Sequence, residues 1–293
     1  MSSTTSRDQR IASALVSHRR SFMGAYSYWD YGPSYYCRHH REAIQEWGLT
    51  TRFFLSTYQG ATGPTAFLLG VIFDGLVLAE RAWAAPVMLR AHLGHLRIGR
   101  LARMHASQLA SALAAARCGA RYPRRVARFI KASSAVVLDD YAGRPENIWL
   151  DALTTGEVIQ RFERLPGVSQ KKARMAVKLL VLGFMYGRYP NLERWCDLDM
   201  AVDRHTARVF LRTGLVPYAP RFTPSASRLI ADVTYAARRL SPDFPARLDD
   251  PAFEIGRDYC SPQDPDCQAC PLGRPGVCRR RIHMTRATSV LEA

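Results

Sequence analysis

Along this chain apolar residues return at helical spacing, segment after segment, and almost nowhere at the alternating spacing of a half-buried strand. Phe67, Leu68, Val71, Ile72 and Leu76 follow Pro64 in this way, and Leu101–Ala116 is dominated by Ala and Leu. Tyr122–Tyr141 sets Val126, Phe129, Ile130, Val136 and Val137 along one broad side. The same pattern predicts helices over Gly156–Arg164, Gln170–Leu182, Asp203–Arg212 and Ser225–Leu240. Gly/Pro-containing stretches such as Gly143–Pro145 and Pro217–Pro224 read as the loops between them. No unit of roughly 20–50 residues repeats, so a solenoid is excluded and an all-α globular fold is expected.

After Leu240 the character changes. Residues 241–278 are rich in Pro, Asp and Cys, with little helical period beyond a short piece around Ala252–Arg257. Such a segment is expected to bury little apolar surface and to need a cross-link. Four of the chain's seven cysteines supply one, spaced Cys260-x6-Cys267-x2-Cys270-x7-Cys278. Four thiolates without an interposed histidine suit tetrahedral zinc or an iron–sulfur cluster. Only Cys267 and Cys270 form the tight pair that structural zinc usually draws on twice, so the wider outer spacings favour the bulkier cluster. An odd, clustered cysteine set also argues against a secreted disulfide scaffold and for a reducing compartment, in cytoplasm or nucleoid. Cys37, Cys118 and Cys196 stand apart and read as small apolar residues.

Charge narrows the class of partner. Lys and Arg total 41 against 25 Asp and Glu, a net charge of +16. That excess favours a polyanion, above all nucleic acid, although a GC-rich genome would also inflate arginine. The longest nearly uninterrupted apolar stretch, Ala66–Phe73, ends at Asp74 and is far short of the roughly 18–20 residues of a membrane span. The Ser-, Thr- and Arg-rich start lacks the apolar core of a secretory signal and is expected to be a frayed basic tail.

The most informative stretch is Glu163–Val177, ERLPGVSQKKARMAV. A predicted helix runs into Leu165, Pro166, Gly167, Val168 and Ser169, and a second begins at once. Read simply, this is an interhelical turn. It would also expose backbone N–H groups at a helix N-terminus, which grip phosphate without reading sequence. Lys171 and Lys172 then lie in a first helical turn, where the dipole disfavours cations by roughly 0.3–1 kcal/mol. Only four lysines occur in the chain, against 37 arginines, and two of them sit here. A lysine can lose its proton and attack carbon, whereas a guanidinium effectively cannot. Downstream, in LDMAVDRHTARVF, Asp203 is placed to cap a helix, and equally to stay ionised before a developing cation.

In their order, LPGVSQKKA, AVDRHTARVF and IGRDYC followed by the four-cysteine loop, these motifs resemble the helix-hairpin-helix DNA glycosylases of the endonuclease III type, over roughly residues 64–280. The resemblance implies a two-lobed helical glycosylase fold. A six-helix barrel domain at 64–197 carries the hairpin at 156–182, beside a cluster domain at 198–280 that also takes part of the extension 1–63. Residues 281–293 are left as a tail. It implies that Lys171 is the Schiff-base lysine and Asp203 the catalytic aspartate. Leu165, Gly167, Val168, Ser169 and Lys172 would bind DNA, and Cys260, Cys267, Cys270 and Cys278 would hold a 4Fe–4S cluster. The partner implied is double-stranded DNA bearing a damaged or modified base, bound by a monomer with no membrane involved.

The chain departs from the family pattern in places. Ser169 replaces the hairpin's second glycine, and the last cysteine gap is longer than in endonuclease III. VIFDGLVLAERAW has Gly75 where the family's helix carries a Gln that fills the gap behind a flipped nucleotide. The adenine-removing branch has a Glu where Gly70 stands here. Asp74 reads either as a base-pocket residue or as a solvated one. Before residue 60, Tyr26, Tyr28, Trp29, Tyr31, Tyr35 and Tyr36 precede Arg38, His39, His40 and Arg41, a set that either packs the extension down or stacks bases. The function expected is a base-excision glycosylase with AP lyase activity. Its rivals are a monofunctional glycosylase, an idle iron–sulfur DNA-binding module and a zinc-bearing nucleic-acid-binding protein.

Overall fold

The computed structural model describes residues 2–23, 37, 41–77, 79–182 and 198–291. The aromatic and basic set from Tyr26 to His40, and Cys196, lie outside them. Among the described residues the protein is helical and carries no strand, as expected. Two compact units emerge, Tyr28–Glu193 and a second made of Met1–Ser27 with Arg194–Ala293. No helix of the described residues is long and apolar enough to cross a membrane.

The helices, in chain order, are α1 (Ser2–Met23), α2 (Arg41–Glu46), α3 (Thr51–Gln59), α4 (Gly63–Phe73), α5 (Ala79–Ala82), α6 (Ala85–Leu93), α7 (Ile98–Arg103), α8 (Ala106–Ala115), α9 (Pro123–Asp140), α10 (Thr155–Glu163), α11 (Gln170–Leu182), α12 (Arg204–Thr213), α13 (Ala226–Leu240) and α14 (Asp249–Asp258). Single 3-10 turns follow α9 and α13, and a longer 3-10 segment covers Ile282–Leu291.

In the unit 28–193, α4 is the core element. It is apolar all round and every residue of it is buried, as a helix without a polar face must be. Gly70 lets the Trp83 ring lie against it, at a distance where a Cβ would come within 2.4 Å of the ring. Phe67 meets the edge of Trp149, which stacks on Phe162 of α10. The apolar run Leu101–Ala116, predicted as one helix, is two. The chain breaks at Met104 and His105, and Lys131 Nζ from α9 donates to the released carbonyls of Ala102 and Met104 at 3.1 and 2.9 Å. Cys37 and Cys118 are buried small residues, and burial pushes their thiols up to about 11 and about 12.

In the other unit α12 is the centre, surrounded by α13, α14 and the start of the chain. The N-terminal segment is not a frayed tail: α1 buries Ile11 and Leu15 completely among Phe210, Leu211 and Val233. Two fully buried apolar residues one helical turn apart anchor it, helped by the Arg7 bond to the Thr213 carbonyl and the Arg239–Asp8 pair, and their signal is diluted by the polar residues around them. Residues 241–278 likewise bury more than expected. Leu248, Ala252, Ile255, Leu272 and Val277 all join this core, and Met284 and Ala287 of the final 3-10 segment pack there too. Leu248, Ala252 and Ile255 do this at helical spacing into α14, whereas Leu272 and Val277 are single apolar residues without a period.

Candidate active site

Helices α10 and α11 form the hairpin, and its bend is fixed from behind by α9. Leu165 and Val168 point into the core and are buried, so only their backbone remains to meet a ligand. Gly167 adopts φ +86°, a left-handed conformation that favours glycine, and a Cβ there would come within 2.6 Å of the Phe129 ring. Ser133 Oγ of α9 donates to the Pro166 carbonyl at 2.8 Å. Ser169, in the place of the second glycine, turns its hydroxyl toward the Lys172 N–H at 3.5 Å, and its carbonyl accepts the Ala173 N–H at 2.9 Å. None of the described hydrogen bonds engages the N–H groups of Gly167, Ser169 or Gln170. These are the donors a phosphate oxygen would find.

The two adjacent lysines do different things. Lys171 Nζ donates to Asp74 Oδ2 at 2.8 Å, with the lysine side chain about one-third exposed and the carboxylate mostly buried. Lys172 turns inward. Its Nζ donates to the carbonyls of Ile72 at 2.8 Å and Gly167 at 3.0 Å, and only 9% of the residue is exposed. It is therefore a tie between the end of α4 and the hairpin rather than a side chain offered to phosphate. The reason is local: Ile72 lies in the last turn of α4, where carbonyls lack helical donors, and an ammonium satisfies one of them.

Burial, opposed by Asp74 and reinforced by the charges of Lys171 and Arg125, lowers the Lys172 ammonium to about 8. For Asp74 burial acts upward. The charges of Lys171, Lys172 and Lys178 and the Lys171 hydrogen bond outweigh it, and hold the carboxyl below its ordinary range. Asp74 is thus neither solvated nor free; it is the counter-ion of a lysine cluster.

In the other unit Asp203 is the N-cap of α12. Its Oδ1 accepts from the backbone N–H groups of His205 and Thr206 at 2.8 and 2.9 Å, and Thr206 Oγ1 returns the favour to the Asp203 N–H at 2.9 Å. The capping role expected from sequence holds. It also leaves Oδ2 without a hydrogen bond among the described residues.

Two arginines that sequence reasoning passed over lie behind this cap. Arg208 and Arg212 are almost fully buried on the core side of α12. Arg208 donates to the carbonyls of Gly256 at 2.6 Å and Cys260 at 2.5 Å. Arg212 reaches Cys260 Sγ at 3.3 Å and the carbonyls of Ser261 and Pro262 at 2.7 Å each. Their signal was in the pattern: two arginines four apart, flanked by Ala207, Phe210 and Leu211, sit on the buried stripe of an amphipathic helix. Gly256, in the IGRDYC motif, lets α14 approach the His205 carbonyl, which a Cβ would meet at 2.5 Å.

The four cysteines are free thiols. Burial pushes Cys270 and Cys278 up; backbone N–H groups pull them down, and the other sulfurs of the loop raise them again. Among the described residues no three His, Cys, Asp or Glu side chains converge so as to hold a metal ion. The donor chemistry nevertheless fits a thiolate-bound iron–sulfur group. All four ligands are sulfur, and N–H donors of Arg212 and Arg280 reach Cys260 Sγ and Cys278 Sγ, each at 3.3 Å.

No protein-family model matches the sequence, and no curated protein does. Solved structures do. A non-covalent endonuclease III–DNA complex is matched over 95% of this chain and 98% of its own, at 17% identity and a TM-score of 0.57. A trapped covalent endonuclease III–DNA intermediate is matched over 83% of this chain and 96% of its own, at 18% identity and a TM-score of 0.52. A thermostable thymine-DNA glycosylase is matched over 95% and 98%, at 13% identity and a TM-score of 0.56. Helix content, hairpin and these likenesses agree: this chain has the helical fold of endonuclease III.

Proposed function

We infer that the protein is a base-excision DNA glycosylase, with Asp203 and Lys171 as its reacting groups and an AP lyase step through Lys171. The observation that carries this reading is the hairpin. A bend with unengaged N–H groups is followed at once by a lysine whose ammonium lies near the surface, in a chain of net charge +16 and endonuclease III fold. The hairpin amides hold a phosphate of the DNA backbone. The target nucleotide leaves the stack, and as its glycosidic bond breaks the sugar gains positive charge, which the Asp203 carboxylate stabilises. Its cap bonds hold that carboxylate in one orientation. Lys171, once neutral, adds to the anomeric carbon, and the resulting Schiff base permits elimination of the 3′ phosphate.

Cys260, Cys267, Cys270 and Cys278 would hold a 4Fe–4S cluster. Such a group would supply, when bound, a cross-link through the four thiolates that fastens the loop.

A second reading is favoured by the Lys171–Asp74 pair: base release by water directed from Asp203, with Lys171 remaining an ammonium. A panel of duplexes, each with one damaged or modified base, tests both. Base release is expected from at least one. It should slow by about two to four orders of magnitude in Asp203→Asn, the scale of roughly 3–5 kcal/mol of lost charge stabilisation. Asn caps a helix about as well as Asp, so the variant should melt like the wild type. Release at an undiminished rate would reduce Asp203 to a cap. Absence of release from every duplex, with no DNA binding, would overturn the glycosylase reading.

A further inference from the structure

We propose that Asp74 is a positioning residue that locks Lys171 as an ammonium and so withholds the lyase step at neutral pH. The proposal rests on the assignment of Lys171 as the reacting amine and deepens it. The carboxylate stands at the C-terminal end of α4 and meets Lys171 Nζ at 2.8 Å. It has little freedom to move away. Its own N–H is bonded to the Gly70 carbonyl at 3.0 Å, and the Ile72 carbonyl two residues earlier is fastened to Lys172 Nζ at 2.8 Å. The same Lys172 ammonium grips Gly167 of the hairpin, so donor and acceptor of the ion pair are carried on segments tied to each other.

The direction of the effect follows from elementary electrostatics. A mostly buried carboxylate within hydrogen-bond distance favours the charged form of the amine it touches. The charged groups around it are Lys171, Lys172 and Lys178 of α11, and Arg125 of α9 acts on Lys172 in turn. Those cations lower the proton affinity of Asp74, which makes it a poor acceptor for the proton Lys171 must shed. An ammonium has no lone pair. For Schiff-base chemistry Lys171 has to give a proton to solvent. Its free amine then adds to the C1′ aldehyde of the opened sugar, and the carbinolamine hydroxyl departs as water. While the pair is intact that sequence starts from the wrong protonation state.

A preformed abasic site is the probe, because it needs no knowledge of the base removed. Wild type, Asp74→Asn, Lys171→Ala and the Asp74→Asn/Lys171→Ala double variant are mixed with a duplex carrying one abasic site. Borohydride reduces the Schiff base to a stable amine, and the covalent complex is measured across pH. In Asp74→Asn the pH of half-maximal trapping should fall by about one unit or more, and trapping at neutral pH should rise about tenfold, as a one-unit fall in amine pKa demands. Both Lys171→Ala proteins should trap nothing. A merely structural role for Asp74 would lower trapping without moving its pH profile. An unmoved profile in a folded Asp74→Asn protein, or trapping that persists in the double variant, overturns the lock.

Should Asp74→Asn fail to fold, amine acetylation of the wild-type protein, read by mass spectrometry, decides the matter. Lys171 is expected to reach half-reaction above the ordinary lysine pKa of about 10.4, and half-reaction at or below it overturns the proposal. A wild-type protein that excises bases while Asp74→Asn leaves the profile unchanged would sink the lock and spare the glycosylase. A protein that neither binds the duplex nor releases any base would sink both.

Discussion

Lys172 shows how one side chain changes role between sequence and fold. Beside Lys171 it looks like a second phosphate contact, because sequence adjacency carries no information about which way a side chain turns. In the structure its ammonium is spent on two carbonyls, and burial with neighbouring cations lowers it to about 8. The unfolded chain binds that proton up to the ordinary lysine value of 10.5. Between about 8 and 10.5 the unfolded state therefore holds more protons than the folded one, and this group's contribution makes stability rise with pH. Denaturant unfolding of wild type and Lys172→Met, compared at both ends of that window, should show the wild type gaining on the variant by on the order of 2–3 kcal/mol. A constant difference would mean that Lys172 is not titrating in the fold. Asp203 was the more legible residue, since a cap is a local matter and its sequence context, Asp-Arg-His-Thr, contains both bonding partners.

Among elements, the hairpin was read almost to the residue. α11 begins at Gln170 as predicted, because Pro166 and Gly167 punctuate it sharply, and it is helical through Leu182, the last residue described there. Gly167 combines φ +86° with a Phe129 ring where a Cβ would go. Gly167→Ala should cost about 1–3 kcal/mol in thermal or denaturant unfolding and weaken binding to all duplexes alike, since the strain falls on a backbone contact. Wild-type stability would show the bend to be more plastic than its geometry implies. The break between α7 and α8 was illegible, for it depends on Lys131 arriving from α9.

The cysteine loop was half legible. Its spacing marks four candidate ligands, but its few apolar residues have no period, so their burial could not be foreseen. Protein purified anaerobically should be brown and contain iron. Cys267→Ala should lose the colour, while Leu272 and Val277, being core residues, keep part of the loop protected from amide exchange. A colourless protein with stoichiometric zinc would exclude the cluster.

At the scale of the whole molecule, the charge of +16 is a statement about partners rather than fold. DNA affinity should fall with salt by about 0.9 log units per log unit of salt for each phosphate neutralised. Salt-independent binding would mean that the arginines serve another purpose. The fold class was legible because helical periodicity is a local property repeated many times. The membership of the units was less so, because it depends on contacts between residues far apart in sequence. Ile11 and Leu15 share a core with Phe210, Val233 and Met284. On a ribosome, that arrangement fixes an order of events. Helix α1 emerges before its partners and waits, its apolar face uncovered, while the entire intervening unit is synthesised and becomes free to fold. Only when the residues around Met284 have cleared the exit tunnel can the cysteine-bearing unit close. Until then a nascent chain would carry an unmatched helix, and closure of the unit that bears the four cysteines is expected to be a late event in the life of the molecule.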